Sequence, residues 1–336
     1  MIAFVIRRLV QAGFVMLAVA LVAFSLFAYV GDPISNMVGQ DTSMEDRERL
    51  REDLGLNDPV VVQFARFVAN AARGEFGLSY RHGRPVADLI AERLPATVEL
   101  SLAAALLALF AGVPMGVYAA LRPRSLLAKL FLVISLIGVS LPTFLIGILL
   151  ILAFSVTLGW LPSFGRGEVV ALGGWTTGLL TASGLKALVL PAITLGLFQM
   201  TLIMRLVRAE MLEVLRTDYV KFARARGLGS RAINFGHALK NTLVPVITII
   251  GLQFGSIIAF AIITESVFQW PGMGLLFLQA IDFVDVPVMA AYLVMVGLFF
   301  VGINLIVDLL YFAVDPRLRI VRGQGAGHGG GLWGGG

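Results

Sequence analysis

The chain has 336 residues, of which 58% are hydrophobic and only 14% are charged, and its mean hydropathy is +0.89. An average soluble domain carries about 25% charged residues, so this composition excludes a soluble enzyme and a disordered protein. The absence of cysteine excludes a disulfide scaffold, a thiolate nucleophile and a zinc-thiolate site. We therefore expect an integral membrane protein.

Long uncharged stretches predict the segments that cross the membrane, since a helix needs about 20 apolar residues to span the hydrocarbon core. Six such stretches predict an all-α protein with six transmembrane helices: Leu9–Gly31, Leu100–Leu121, Leu130–Gly165, Ala187–Met204, Asn241–Thr264 and Val286–Val307. The glycine-rich stretch Val169–Leu185 is predicted to be a loop. Ser266–Ile281 contains Trp270-Pro271-Gly272, which is typical of an interfacial or re-entrant turn.

Basic residues predict the orientation of these helices. Arg7 and Arg8 precede the first stretch and place the N-terminus in the cytoplasm by the positive-inside rule. Splitting the long stretch Leu130–Gly165 into two spans would place the basic segment Arg205–Lys240 outside. We therefore predict that Leu130–Gly165 is a single span. Both termini are then cytoplasmic. The first stretch is too long for a signal peptide core, and no eukaryotic targeting signal is evident, so we expect a multi-pass protein of a bacterial inner membrane.

The spans divide the chain into four parts. Residues 1–30 are predicted to form an N-terminal transmembrane helix, and residues 31–95 an external segment. Residues 96–312 are expected to form the core, with five transmembrane helices and the cytoplasmic loop 205–240. Residues 313–336 form a cytoplasmic tail that is rich in glycine from residue 323 and is predicted to be disordered there.

The external segment contains start and stop signals for two helices. Ser43 with Asp46 resembles an N-cap pair, and Gly55 follows as a stop. Asp58-Pro59 is typical of a second start, and Gly74 of a second stop. These signals favour a small helical cap on the outer surface, and the alternative is a solvated spacer.

The cytoplasmic loop carries eight basic and three acidic residues. We expect Asp218 to be the N-cap of a short helix over Tyr219–Arg226, which ends at Gly227. Ser230 is predicted to begin a second short helix that ends at Lys240. Helical spacing places four side chains on one side of the first helix: Tyr219, Phe222, Ala223 and Arg226. Such a surface favours docking of a partner, and the alternative is that the arginines lie on anionic lipid headgroups.

The loop resembles the signature of ABC-transporter permeases, in which Glu-Ala-Ala is followed after three residues by glycine. Ala223 and Gly227 match this signature, whereas Lys221 and Phe222 depart from it. Other parts of the loop are similar to the peptide-permease branch: Asp218-Tyr219-Val220, Ala223-Arg224-Ala225-Arg226-Gly227-Leu228 and His237-Ala238-Leu239-Lys240-Asn241, with Pro245.

Matches to the same branch occur along the rest of the chain. They are Arg7-Arg8-Leu9, Gly31-Asp32-Pro33, Asp53-Leu54-Gly55-Leu56, Glu92-Arg93-Leu94-Pro95-Ala96-Thr97, Gly112-Val113-Pro114, Ser140-Leu141-Pro142-Thr143, Glu265-Ser266-Val267-Phe268, Trp270-Pro271-Gly272 and Asp315-Pro316-Arg317. The chain thus resembles the B-type permease of dipeptide, oligopeptide or nickel importers, and only its glycine-rich tail has no counterpart.

This resemblance implies a type I ABC importer permease fold and a set of partners. They are a second homologous permease, two cytoplasmic ATP-binding subunits, an external solute-binding protein and the lipid membrane; no nucleic acid is expected. ATP and Mg would be bound by the partner subunits, because this chain has no G-x-x-x-x-G-K-[ST] motif. We therefore expect no catalytic residue and no cofactor in this chain. The docking residues that the resemblance implies are Asp218, Tyr219, Phe222, Ala223, Arg226 and Gly227.

Polar residues inside the spans are candidates for a translocation path, with interhelical hydrogen bonds as the alternative. They are Gln199, Thr248, Gln253, Ser256 and Asn304. Di- or oligopeptides are the expected cargo by resemblance, and nickel chelates, glutathione or another small solute remain alternatives.

Two other classes of protein are disfavoured. A secondary transporter usually keeps ionisable residues at mid-membrane, whereas Glu265 and Asp308 lie just beyond the ends of two uncharged stretches. A non-transporting scaffold would not need polar residues within its spans. No metal site is expected, because the three histidines are far apart: His82, His237 and His328. Asp282 and Asp285 are predicted to be solvated in an external turn.

Overall fold

The computed structural model describes residues 2–29, 43–53 and 57–314, and it is almost entirely helical. The main helices in chain order are α1 (Ile2–Tyr29), α2 (Met44–Asp53), α3 (Val60–Ala72), α4 (Val86–Leu121), α5 (Leu126–Ser140), α6 (Thr143–Leu150), α7 (Ala182–Val214), α8 (Asp218–Ala225), α9 (Leu239–Val267), α10 (Met273–Asp282) and α11 (Val286–Val314). Two stretches of π-helix, Ile151–Thr157 and Ala232–Ala238, follow α6 and precede α9.

Long apolar helices confirm the all-α membrane architecture. In the described residues α1, α4, α7 and α11 each contain a stretch long and apolar enough to cross a membrane. The pair formed by α5 and α6 with its π-helical extension makes a fifth such unit. Helix α9 is 29 residues long and contains the uncharged stretch Asn241–Thr264, although many of its side chains lie outside the described set. The number six stays a prediction.

The stretch Leu130–Gly165, predicted to be one span, is broken at Leu141-Pro142. The helices on the two sides of this break are bent by 117°. Leu141 has an extended backbone (φ −96°, ψ 138°), because the ring of a proline disfavours the helical conformation at the residue before it. The predicted apolar stretch is therefore largely helical, but the prediction of one span missed the sharp bend between its two helices.

The core lies where α4, α7 and α9 meet, and small residues let α4 and α7 approach each other closely. A Cβ added to Gly116 on α4 would lie only 2.6 Å from the carbonyl oxygen of Met204, and one on Gly196 of α7 would lie 2.8 Å from that of Ala104. Such backbone contact is typical of helix pairs in membranes, where packing rather than the hydrophobic effect drives association. Helices α4 and α7 are thus a tightly packed pair.

The described part of the external segment contains α2 and α3. The predicted cap at Ser43 is confirmed, since its hydroxyl accepts a hydrogen bond from the backbone N–H of Asp46 at 3.1 Å. Helix α3 packs on α1 through Phe24, whose ring centroid lies 5.5 Å from that of Phe64 and 6.0 Å from that of Phe67. The predicted stop at Gly55 and the glycine-rich tail lie outside the described residues.

The glycine-rich stretch before α7, predicted to be a loop, forms a short hairpin. Strands β1 (Val170–Leu172) and β2 (Trp175–Thr177) pair antiparallel, with Leu172 opposite Trp175. Gly173, with φ +63°, makes the turn between them. The loop prediction over Val169–Leu185 is therefore wrong for the two strands and for residues 182–185, which belong to α7.

Candidate docking site and outer junction

Helix α8 is the short helix predicted in the basic loop, and its start differs by one residue from the prediction. It begins at Asp218, and Thr217 is the residue before it, with extended backbone. The Thr217 hydroxyl donates to the carbonyl of Val214 at 2.6 Å. Asp218 is therefore the first helical residue rather than the N-cap. At this position its negative charge interacts favourably with the helix dipole.

Gly227 ends this helix, as predicted, through a Schellman motif. Its φ is +80°, its N–H donates to the carbonyl of Arg224 at 2.9 Å, and the N–H of Leu228 donates to that of Ala223 at 3.3 Å. Glycine suits this position because other residues are strained at positive φ. No described atom lies within 4 Å of the position of an added Cβ. Glycine is therefore favoured here by the positive φ and not by steric crowding.

The exposed side of α8 carries an aromatic and basic surface. The side chains of Tyr219 and Phe222 are 41% and 64% exposed, and the Arg226 guanidinium lies 5.8 Å from the centroid of the Phe222 ring. Asp218 is also exposed and pairs with Lys221 at 2.8 Å. Exposed aromatic and arginine side chains of this kind are the ones that contribute most binding energy at protein interfaces.

Ala223 does not share this surface, which corrects the predicted grouping. It is buried, together with Val220, against Ile233 from the π-helical stretch that follows. The chain folds back at Gly227, so the following helix covers the side of α8 that carries Ala223. Ala223 therefore supports the exposed surface from beneath.

The second short helix predicted over residues 231–240 is not separate from the next span. The chain is helical from Ser230 onward and continues through the π-helical stretch into α9. Asn241, at the start of α9, donates through its side-chain amide to the hydroxyl of Tyr219 at 2.8 Å. Helix α8 is thus tied directly to α9.

The structure locates two of the five candidate path residues. Gln199 is buried in α7. Asn304 in α11 is partly exposed, and its side-chain amide donates to the carbonyl of Phe300 one turn earlier at 2.8 Å. The remaining three lie in α9, and their side chains are outside the described set: Thr248, Gln253 and Ser256.

At the opposite end of the helix bundle, one turn of α4 holds the segment that follows α9. The Thr97 hydroxyl donates to the carboxylate of Glu265 at 2.6 Å and accepts from the N–H of Met273 at 2.8 Å. The same carboxylate accepts from the N–H of Leu275 at 3.0 Å. The first N–H groups of a helix have no partner within that helix. In α10 they are bonded instead by side chains of α4 and α9.

The turn between α9 and α10 is fixed by a buried tryptophan. Trp270 is 1% exposed, and its indole N–H donates to the carbonyl of Ala96 at 2.9 Å. Gln269 beside it has φ +45°. The prediction of a re-entrant or interfacial turn here agrees with a helix that ends at Val267 and a second helix that begins at Met273.

The same turn of α4 also holds the hairpin of β1 and β2 through a buried ion pair. Glu99 and Arg166 are 2.6 Å apart, and their side chains are only 5% and 6% exposed. Arg166 also donates to the carbonyl of Thr176 on β2 at 2.7 Å, and Glu99 accepts from the N–H of Gly178 at 3.4 Å. We call the turn Ala96–Glu99 of α4, with the groups bonded to it, the outer junction.

Asp285 was predicted to be solvated, and this prediction is wrong. Asp285 is 1% exposed and accepts hydrogen bonds from the hydroxyl of Ser79 and from the backbone N–H of Tyr80 at 3.1 Å. These partners come from the segment before α4, about two hundred positions earlier in the chain, and so are invisible to local sequence patterns. Asp282 is exposed, as predicted.

The ion pair of the outer junction was not predicted, although the sequence contains a signal for it. Glu99 directly precedes one uncharged stretch, and Arg166 directly follows another. In the predicted orientation both charges lie at the outer ends of their spans. Two opposite charges at the same level of a membrane protein are expected to pair.

Comparison with known proteins identifies the family. Residues 112–320 match the family described as binding-protein-dependent transport system inner membrane component, and residues 1–102 match its N-terminal component. A structural likeness exists to a chain of the MetNI methionine ABC transporter, with a TM-score of 0.52 and 19% identity over 68% of this chain and 96% of that chain. This likeness shows the permease fold.

Curated relatives match almost the entire chain. The dipeptide transport system permease protein DppB of Alkalihalophilus pseudofirmus is 38% identical, over 95% of this chain and 100% of its own. The oligopeptide transport system permease protein AppB of Bacillus subtilis is 39% identical, with the same coverage. The glutathione transport system permease protein GsiC of Escherichia coli is 36% identical, over 95% of this chain and 99% of its own. The chain belongs to the family of membrane components of binding-protein-dependent transport systems.

Proposed function

We propose that this chain is a permease subunit of an ATP-driven importer of di- or oligopeptides in a bacterial inner membrane. The observation that carries this proposal is the similarity over nearly the whole chain to permeases named for dipeptides and oligopeptides. A second candidate cargo is glutathione, since a glutathione permease is 36% identical. Glutathione is itself a peptide-like solute, so both cargoes belong to one chemical class.

We further propose that ATP is hydrolysed by two partner subunits, one of which docks on α8, and that this chain binds neither ATP nor Mg itself. The exposed residues of α8 and its C-terminal turn would form the contact: Asp218, Tyr219, Phe222, Arg226 and Gly227. Because α8 is bonded to the start of α9 through Tyr219 and Asn241, movement of the docked subunit would reach a long helix directly. A second permease would complete the translocation path, and an external binding protein would deliver the cargo.

The candidate path residues fit this proposal as polar positions in apolar helices. Gln199, Thr248, Gln253, Ser256 and Asn304 would line the path together with residues of the second permease. A polar lining suits a peptide, since its amide groups need hydrogen-bond partners when they leave water.

Uptake of labelled peptide tests the proposed cargo. Cells that lack the gene for this chain should lose uptake of a labelled di- or oligopeptide and regain it when the chain is restored. Unlabelled peptides should compete for this uptake, whereas nickel salts should not. Competition by glutathione alone would move the assignment to the glutathione branch, and unchanged peptide uptake in cells lacking the chain would contradict the proposal.

A further inference from the structure

The outer junction joins two external segments to one turn of α4. The hairpin before α7 is bonded through Arg166 and Glu99, and the turn after α9 through Trp270, Glu265 and Thr97. These bonds are buried, whereas neighbouring parts of both segments are exposed on the surface of the chain. Leu172 on the hairpin and Phe283 after α10 are each 55% exposed. A protein that touches the exposed parts would therefore pull on a single buried attachment point.

Helix α4 extends from this attachment point through the bundle in contact with α7. The close backbone contacts at Gly116 and Gly196 make these two helices move as a pair, because packed interfaces have few alternative arrangements. Helix α7 ends at Val214, and only three residues separate it from α8. Consecutive contacts therefore lead from both external segments to the surface proposed to meet the ATPase.

We propose that the outer junction is a positioning element that transmits docking of the loaded binding protein to the ATPase subunits. This inference rests on the proposed function, in which both partners bind this chain. Thr97 is its central residue, since one hydroxyl both donates to Glu265 and accepts from the first N–H of α10. Loss of that hydroxyl would remove the polar bond between α4 and the first turn of α10, while leaving the apolar contacts between the two helices in place.

The test measures ATP hydrolysis by the complete reconstituted complex with and without peptide-loaded binding protein. The variant Thr97→Val should reduce the stimulation by loaded binding protein about 5-fold or more, a factor at the low end of typical coupling between sites, without changing the basal rate. Thr97→Ser, which keeps the hydroxyl, should restore stimulation. The matched control is Thr194→Val, since Thr194 is also fully buried and donates to Leu190 in its own helix.

A second variant covers the case in which Thr97→Val does not assemble. Trp270→Phe removes the indole N–H that binds the Ala96 carbonyl and keeps an aromatic ring, and it should give the same loss of stimulation. A purely structural role would lower the amount of complex and leave the ratio of stimulated to basal rate unchanged, which would overturn the inference. Absence of stimulation in the unmodified complex would instead contradict the proposed function.

Discussion

Replacing Gly227 with valine should lower peptide uptake about ten-fold or more while leaving the amount of chain in the membrane unchanged, a loss within the usual range for coupling between sites. A β-branched residue at the φ of +80° found here would be strained by about 1–2 kcal/mol, and relief of that strain would turn α8 away from its docking position. The fold should survive, because no described atom lies within 4 Å of the added Cβ. Uptake by intact cells, normalised to membrane content, measures the effect.

Two controls separate backbone conformation from added bulk. Gly227→Asn should retain most of the uptake, because asparagine tolerates the left-handed region better than other residues. Gly229→Val adds the same side chain two residues later, where φ is not positive and no described atom lies within 4 Å of a Cβ, and it should transport normally. Full uptake by Gly227→Val would show that this turn does not position the docking surface.

The variant Arg166→Met should lower the free energy of unfolding by about 3–5 kcal/mol, because it leaves the buried carboxylate of Glu99 without its charge partner. The exposed pair Arg84–Glu92, with side chains 49% and 53% exposed, provides the matched control. Arg84→Met should cost no more than about 1 kcal/mol, since solvent screens that pair. Unfolding in mixed detergent micelles, titrated with SDS, measures both.

A double variant distinguishes loss of the partner from loss of packing. Glu99→Met combined with Arg166→Met removes both charges and should recover a large part of the stability lost in Arg166→Met alone. The bonds of Arg166 to Thr176 and of Glu99 to Gly178 would still be lost, so recovery should be partial. Equal destabilisation by Arg166→Met and Arg84→Met would refute the assignment of a buried pair.

Local signals in the sequence predicted those features that depend on neighbouring residues. Gly227 was expected to end a short helix, and it does. This end could be predicted because a positive φ at a helix terminus depends on the identity of that one residue. Ser43 was expected to cap α2, and its hydroxyl reaches a backbone N–H three residues later. The uncharged stretches likewise revealed the apolar helices, because hydropathy is averaged over each helix.

Features that depend on distant residues were missed or misread. Asp285 is buried by Ser79 and Tyr80, which precede α4, and no pattern near Asp285 reveals them. Ala223 is covered by Ile233 only because the chain reverses at Gly227. The bend at Leu141-Pro142 has a local cause in the proline, but hydropathy and charge parity do not take backbone conformation into account and so missed it. Pairings across the bundle require three-dimensional structure.

Helix α8 and the outer junction would bind different partners of the proposed importer. In the proposed importer, the exposed aromatic residues of α8 would face the partner that supplies energy. The buried bonds at Ala96–Glu99 would hold the segments that face the partner that delivers cargo. The tight contact of α4 with α7 connects them.

Affinity purification of the tagged chain in mild detergent, followed by mass spectrometry, is the most direct test of the proposed assembly with ATPase subunits. We expect a second permease and nucleotide-binding subunits to co-purify with the unmodified chain. Recovery of the nucleotide-binding subunits should fall, with the second permease retained, when Phe222 on the exposed side of α8 is changed to aspartate. Recovery of a homo-oligomer without any ATPase subunit would contradict the assignment to an ATP-driven importer.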